Sequence, residues 1–302
     1  MSESKFKILL VGKHELACEL FLRLVDNDKV DLAVVTCDSE DEDSSDRASL
    51  KNILSQYGYD SKDDNGVLPL AEPIDEFQPD ILLSAGFDRI IQPNVFNKVG
   101  YAVNIHFAKL PNYRGCYSIP WAVINNEKDI GVTLHEIASG IDNGPIILQR
   151  TFSNNLQSSC HSLYNEAVEL GVEMFIEFLN RLDQGKEYIA VEQDENEAAY
   201  YPMVLPYNGK IQWSQTTYSV ANFIRAYHFP PYPGAETSWR NSSVFIEWPV
   251  HIKIEDHEHE PGTIVDEQGG FWVATRDGFV KPELIMFDKE QYVFDDYVAR
   301  YI

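Results

Sequence analysis

Basic side chains are scarce in this sequence: 24 Lys and Arg stand against 48 Asp and Glu, a formal net charge of −24 at pH 7. Proteins that grip nucleic acid gain affinity by neutralising phosphates with clustered Lys and Arg, so the expectation is no nucleic-acid partner. Cysteine is scarce too. Cys18, Cys37, Cys116 and Cys160 are widely separated, which leaves no CxxC metal or redox pair and argues against a disulfide framework. Long apolar runs are missing. The early run Ile8 to Val11 is too short for a membrane span or a signal core, and no later stretch reaches about 18 apolar residues. The reading is a soluble, cytoplasmic protein with no membrane partner. What the chain does hold is core material: 44% hydrophobic and 12% aromatic residues over 302 positions suit one large domain or two smaller ones.

Periodicity sets out the organisation. Lys5 to Gly12 reads as a buried strand, and Leu16, Ala17, Leu20, Phe21 and Leu24 follow at helical spacing before a second strand at Asp31 to Thr36. Strand, helix and strand in about 35 residues make a βαβ unit with a parallel sheet. The first turn has Gly12 but lacks the other glycines of a dinucleotide fingerprint, so NAD binding is not supported. Further strands are expected at Ile81 to Ser84, Tyr101 to Ile105, Gly131 to Ile137 and Pro145 to Gln149, with a tight turn at Gly140 to Gly144. Leu163, Ala167, Leu170, Met174, Phe178 and Leu182 mark a long amphipathic helix. The expected layout is an N-terminal α/β domain over residues 1–184 and a polar linker over 185–206. A smaller β-rich domain over 207–302 follows, opening on a helix from Thr217 to Tyr227.

The acids are unevenly spread. Asp38 to Asp46 holds six, Glu192 to Glu197 four and Glu255 to Glu260 four, and all three stretches read as solvated loop or linker. The three histidines between His251 and His259 alternate with acids and read as an exposed charged loop rather than a metal site.

The chemistry concentrates in Val103-Asn-Ile-His-Phe-Ala-Lys-Leu-Pro-Asn-Tyr-Arg-Gly115. Asn104 and His106 are two apart, so on a strand they face one side and place an amide donor and an imidazole together. Downstream, Gly131-Val-Thr-Leu-His-Glu-Ile leads into Ile141-Asp-Asn-Gly144. Each residue also has an ordinary explanation: a strand-end Asn, a satisfied His106, a His135 on a polar strand face, an Asp-Asn-Gly turn.

Together these segments resemble the folate-dependent formyltransferases. The resemblance runs through Asn104, His106, Leu110-Pro111, Arg114-Gly115, Trp121, Gly131-Val-Thr133, Asp142 and Gly144. It continues in Tyr207 to Trp213, Ile224-Arg-Ala226, Pro231 to Ala235, Pro261 to Ile264 and Val273 to Gly278. It implies a Rossmann-like N-terminal domain with a smaller, OB-like C-terminal one, a catalytic set of Asn104, His106 and Asp142, and N10-formyltetrahydrofolate as formyl donor. His106 suits proton movement near neutrality, Asn104 would stabilise the oxyanion, and Asp142 would orient the imidazole or take the amine's proton. The donor's pocket is implied at the turn Ser84 to Ile91, with Gly86 allowing close approach and Phe87 or Ile90 as an apolar wall. Ile141 and Asp142 would cover it.

Among acceptors, the resemblance is nearest to sugar N-formyltransferases acting on nucleotide-linked, dTDP-linked amino-dideoxysugars for bacterial surface polysaccharide. Methionyl-tRNA enzymes share the layout but need basic surface after the second strand, where Asp38 to Asp46 stands. A non-catalytic folate or nucleotide-sugar binder is the other alternative. Lys13, Lys109, Arg114, Arg225 and Arg89 are candidates to hold the diphosphate, and His14 is a further candidate for substrate binding. Trp121, Phe229 and Tyr232 are candidates to line the substrate pocket. The aromatic C-terminal stretch Tyr292 to Tyr301 is the expected homodimer surface.

Overall fold

The computed structural model describes residues 5–36, 48–59, 62–63, 70–267 and 269–302. Asp38 to Asp46 lies outside the described residues, as does Cys37. The chain forms two compact units, neither continuous in sequence. The first comprises Met1–Gly115, Gly131–Phe152 and Asn165–Tyr200, and the second Cys116–Ile130, Ser153–Tyr164 and Tyr201–Ile302.

In chain order, β1 (Phe6–Gly12), α1 (His14–Leu24), β2 (Val30–Thr36), α2 (Leu50–Gln56) and β3 (Lys62–Asp63) come first. Next are α3 (Ala71–Phe77), β4 (Ile81–Ala85), α4 (Pro93–Phe96), β5 (Tyr101–His106), β6 (Arg114–Gly115) and α5 (Ser118–Ile124). Then follow β7 (Asp129–Glu136), β8 (Ile146–Ser153), α6 (Cys160–Asp183) and β9 (Tyr200–Tyr201).

The main sheet has the order β3-β2-β1-β4-β5-β7-β8. β1 to β5 are parallel and β7 runs antiparallel to β5. β4 is buried along its whole length, as a parallel strand covered on both faces must be, and its run Ile81-Leu-Leu is correspondingly continuous in apolar residues. The strand order reverses at β1, whose neighbours are β2 and β4. In open α/β sheets the crevice beyond the carboxyl ends of the strands at such a switch point is where ligands bind. Gly12 ends β1 opposite Ala85 of β4, and a Cβ on Gly12 would lie 2.0 Å from the Ala85 carbonyl oxygen, so only glycine lets the two strand ends meet.

β5 alternates, burying Val103 and Ile105 while Asn104 and His106 stay half-buried on its other side. The antiparallel register sets Asn104 opposite His135 and His106 opposite Thr133. Gly131 lets β7 pass hard against the chain after β5, since a Cβ there would sit 2.2 Å from the Lys109 amide nitrogen. The Thr133 hydroxyl donates to the Ala108 carbonyl at 2.7 Å and the Gln149 amide to the Leu110 carbonyl at 2.9 Å, fixing the loop that carries Tyr113.

The second unit holds α7 (Thr217–Tyr227), β10 (Ala235–Trp239), β11 (Ser242–Ile246), β12 (Val250–Ile254), β13 (Ile264–Glu267) and β14 (Gly270–Ala274). It closes with β15 (Gly278–Pro282), β16 (Leu284–Phe287), β17 (Glu290–Val293) and α8 (Phe294–Tyr301). Two antiparallel sheets result, β10-β11-β16-β17 and β12-β15-β14-β13. Val220, Ile224, Val244, Ile246, Val280 and Phe294 are among the residues of their shared core.

Two expectations change here. His251 to Ile254 is not loop but part of β12, and the His251 ring pairs with Glu283 at 2.9 Å. The aromatic C-terminus packs on itself: Tyr297 is buried and meets Phe287 edge-on at 5.2 Å, while the half-buried Tyr292 and Tyr301 lie edge to face at 5.9 Å. These rings already partner one another within the chain, so the feature that suggested a dimer surface has an intramolecular use.

Candidate active site

The site stands at the end of β5. The His106 ring places Nε2 2.8 Å from the Tyr113 carbonyl oxygen. A carbonyl oxygen only accepts, so Nε2 carries the proton and Nδ1 of the neutral ring is a bare base. That Nδ1 lies 3.7 Å from Asp142 Oδ2. His135 repeats the device with its nitrogens exchanged: Nδ1 is 2.8 Å from the Glu136 carbonyl oxygen, which leaves Nε2 as an acceptor. Asn104 Nδ2 donates to it at 3.1 Å and stands 3.4 Å from Asp142 Oδ1. With the amide reversed, its oxygen would face an imidazole lone pair and a carboxylate, so the orientation is dictated by its surroundings.

Asp142 sits in the turn between β7 and β8 with φ +50°, a left-handed conformation that Asp tolerates better than most residues. Its Oδ2 accepts the Gly115 main-chain N–H at 2.8 Å. Burial pushes the Asp142 carboxyl up, but the charge that the His106 and His135 rings bear when protonated, the hydrogen bond that a protonated His135 donates and the Gly115 N–H outweigh that and hold it well below the usual carboxylate range. The cluster therefore combines a fixed carboxylate, a base facing it and an amide with one strong and one weak hydrogen bond.

Asn104, His106 and Asp142, singled out in the sequence, are thus brought together. His135 joins them: it is not on a polar strand face but 2% exposed and bonded to Asn104. The signal for it was the facing register of two strands, which one strand's alternation does not reveal.

The implied donor pocket lies in the same unit. Gly86 follows β4 with φ +69°, and a Cβ there would come within 3.2 Å of the Lys13 carbonyl oxygen. Phe87 packs on the core beside Leu9, Leu82 and Ile91. Ile90 and Ile141 are 65% and 51% exposed, large apolar surfaces left uncovered beside these loops. Lys13 pairs with Asp88 at 2.9 Å, and His14 opens α1 with φ +60°. Lys109 is exposed, and Arg89 reaches Asp88 at 4.0 Å.

Two candidate diphosphate ligands are engaged elsewhere. Arg114 is 0% exposed, with its guanidinium bonded to Gln193, Glu195 and Tyr200. Arg225, in the second unit, is 1% exposed and donates to Asn154, Asn155, Ser158 and Asn222. Burial lowers its pKa to about 10, with the neighbouring Cys160 opposing the fall. Trp121, Phe229 and Tyr232 also belong to that unit. Trp121 lies tilted against Tyr201 at 5.1 Å, Phe229 packs against His161, Tyr164 and Tyr232, and Tyr232 is exposed. The stretch Glu192 to Glu197, expected to be solvated linker, contributes Gln193 and Glu195 to the Arg114 cluster.

An α/β unit with an Asn, a His and an Asp converging at a strand end, followed by an antiparallel β-rich unit, defines a class that comparison makes explicit. Residues 5–179 match the formyl transferase family and residues 205–301 its C-terminal domain; the chain belongs to the formyl transferase family. It is similar over most of its length to the N-formyltransferase from Helicobacter canadensis, solved with folinic acid and dTDP-3-aminofucose. That likeness has 25% identity and a TM-score of 0.71, covering 95% of this chain and 100% of the other. The methionyl-tRNA formyltransferase of Geotalea daltonii is 26% identical over 98% of this chain and 95% of its own. That of Ruminiclostridium cellulolyticum is 31% identical over 73% of this chain and 70% of its own. Among the described residues no helix is long and apolar enough to cross a membrane.

Proposed function

We propose that the protein transfers the formyl group of N10-formyltetrahydrofolate to the amine of a nucleotide-linked, dTDP-linked amino-dideoxysugar, a step that serves bacterial surface polysaccharide such as O-antigen. One observation carries the choice of acceptor: the charge. A net −24, with six acids in Asp38 to Asp46, repels an RNA backbone, whereas a small anionic substrate needs only a few local cations at ionic strengths where charges beyond about 8 Å are screened. The likeness, over most of the chain, to an enzyme solved with dTDP-3-aminofucose supports the same acceptor class. The curated relatives named as methionyl-tRNA formyltransferases favour a second reading, an RNA acceptor.

The donor fits the residues present. The exposed Ile90 and Ile141 offer apolar walls to an aromatic ring, and Gly86 puts no side chain between its main chain, with the Lys13 carbonyl beside it, and that ring's polar edge. When bound, the donor supplies a formyl carbon whose bond to N10 breaks as the bond to the acceptor nitrogen forms. His106 Nδ1, unprotonated in the neutral ring, receives the proton leaving the amine, and Asp142 faces the positive charge so formed. From there the proton is available for the departing N10. The Asn104 Nδ2 hydrogen that reaches only weakly toward Asp142 turns to the carbonyl oxygen as it gains negative charge. His135 keeps the other hydrogen and so keeps the amide aimed.

The test is mass spectrometry of dTDP-linked 3-amino- and 4-amino-dideoxysugars incubated with protein and donor. Gain of one formyl unit is expected, with turnover reduced about a thousand-fold in His106→Ala and Asp142→Ala. Folded protein that formylates neither sugar overturns the reading, and tight, salt-sensitive retention of initiator tRNA on a filter would favour the alternative.

A further inference from the structure

We infer that Arg114 and Gln193 form a clamp that positions Asp142, which makes them positioning residues for formyl transfer rather than ligands of a substrate diphosphate. The inference rests on the proposed role of Asp142 in the transfer. Arg114 Nε and Nη2 donate to Gln193 Oε1 at 3.1 and 2.8 Å. Nη1 and Nη2 grip the two Glu195 carboxylate oxygens at 3.1 and 2.7 Å, and Nη1 also donates to the Tyr200 hydroxyl at 2.8 Å. With its oxygen held by the guanidinium, the Gln193 amide must aim its nitrogen the other way. That nitrogen donates to the carbonyl oxygens of Asp142 and Gly144, at 2.9 and 2.7 Å.

Asp142 is thereby held at both ends by one arginine. Its carboxylate takes the N–H of Gly115, the residue after Arg114, and its carbonyl takes the amide that Arg114 orients. The Arg114 main-chain N–H itself donates to the Ala199 carbonyl at 2.9 Å, and Val191 forms a two-way bridge with Ile146 at the start of β8. Residues 191–200 therefore strap the turn that carries Asp142. A left-handed Asp needs such over-determination, because the conformation is strained and a freed turn would leave it. Loss of aim by about 1 Å is enough to slow a positioned reaction a hundred-fold.

Gln193→Glu separates positioning from bulk structure in the full-length protein. The substituted side chain still offers Arg114 a carboxylate oxygen but has no hydrogen to give the two carbonyls. The expected result is a folded protein with kcat lowered about 10- to 100-fold and KM for donor and acceptor within about two-fold. Hydrogen exchange in the peptide Ala138 to Gly144 should quicken. Gln193→Ala should behave alike, and Arg114→Lys, which keeps charge but loses the fork, should lie on the same side of wild type. Exchange in that peptide needs no acceptor, so it reads the clamp even where the sugar assignment fails, and that assignment is judged separately by wild-type turnover. Unaltered exchange and unaltered kcat in Gln193→Glu overturn the clamp. A fall in activity matched by loss of folded protein, and reversed wherever folding is restored, overturns it too.

Discussion

Two imidazoles in the site have opposite nitrogens tied to main-chain carbonyls, His106 through Nε2 and His135 through Nδ1. The consequence is a division of labour: one ring presents a base to Asp142, and the other presents an acceptor to Asn104. Replacing His135 by Phe removes the acceptor, frees the Asn104 amide to turn and should lower kcat about five-fold, the effect of one hydrogen bond of roughly 1 kcal/mol, as steady-state kinetics would show. For Asp142 the sign follows from a carboxyl held below its unfolded-state value. Its contribution to stability is present above about pH 4 and is lost as pH falls through the lower, folded value. In denaturant titrations the stability gap between wild type and Asp142→Asn should narrow as pH falls below about pH 4. Asn104 and His106 were legible because a strand's two-residue period puts them on one side. Arg114 was not: a charged residue in a motif suggests a ligand, and nothing local tells that it is buried beneath partners 79 to 86 positions away.

Elements that lie deep in the sheet announced themselves. β1, β4 and β5 carry apolar runs or clean alternation, and α1 and α6 carry the full periodicity of long helices. The seven-residue helices α2, α3 and α5 and the four-residue α4 offer too few turns for a pattern, whereas β12 alternates cleanly from Val250 to Ile254 and was hidden because its His251 and Lys253 run on into the acid- and histidine-rich stretch behind it. Close approach of elements is legible only where glycine demands explanation. Gly131 in β7 is such a place, and Gly131→Ala should force β7 away from Lys109, lowering stability by about 2 kcal/mol in chemical denaturation and weakening activity through the shifted His135. In the second unit α7 buries Arg225 against four oxygen acceptors with no carboxylate among them, so the helix is fastened to residues 154–158 by hydrogen bonds rather than by ion pairing.

At the scale of the whole molecule the charge sets how an anionic substrate arrives. Long-range repulsion by a chain of net −24 is screened by salt, so kcat/KM for a nucleotide sugar should rise about two-fold between low and physiological ionic strength. An RNA-binding enzyme would show the opposite slope, and a salt series of initial rates distinguishes them. The α/β and β-rich character of the two halves was open to sequence reading because it is a property of pattern. The strap formed by residues 191–200 was not, since polar, acid-rich chain reads as solvated wherever its partner is a single buried arginine far upstream. That strap also imposes an order on synthesis. Asp142 emerges from the ribosome more than fifty residues before Gln193 and Glu195, a delay of roughly 3 to 10 s at ordinary elongation rates. The sheet can assemble in that interval, but the turn that carries Asp142 stays loose until the later segment arrives, so a nascent or truncated chain ending near residue 184, although it holds Asn104, His106 and Asp142, is expected to be silent.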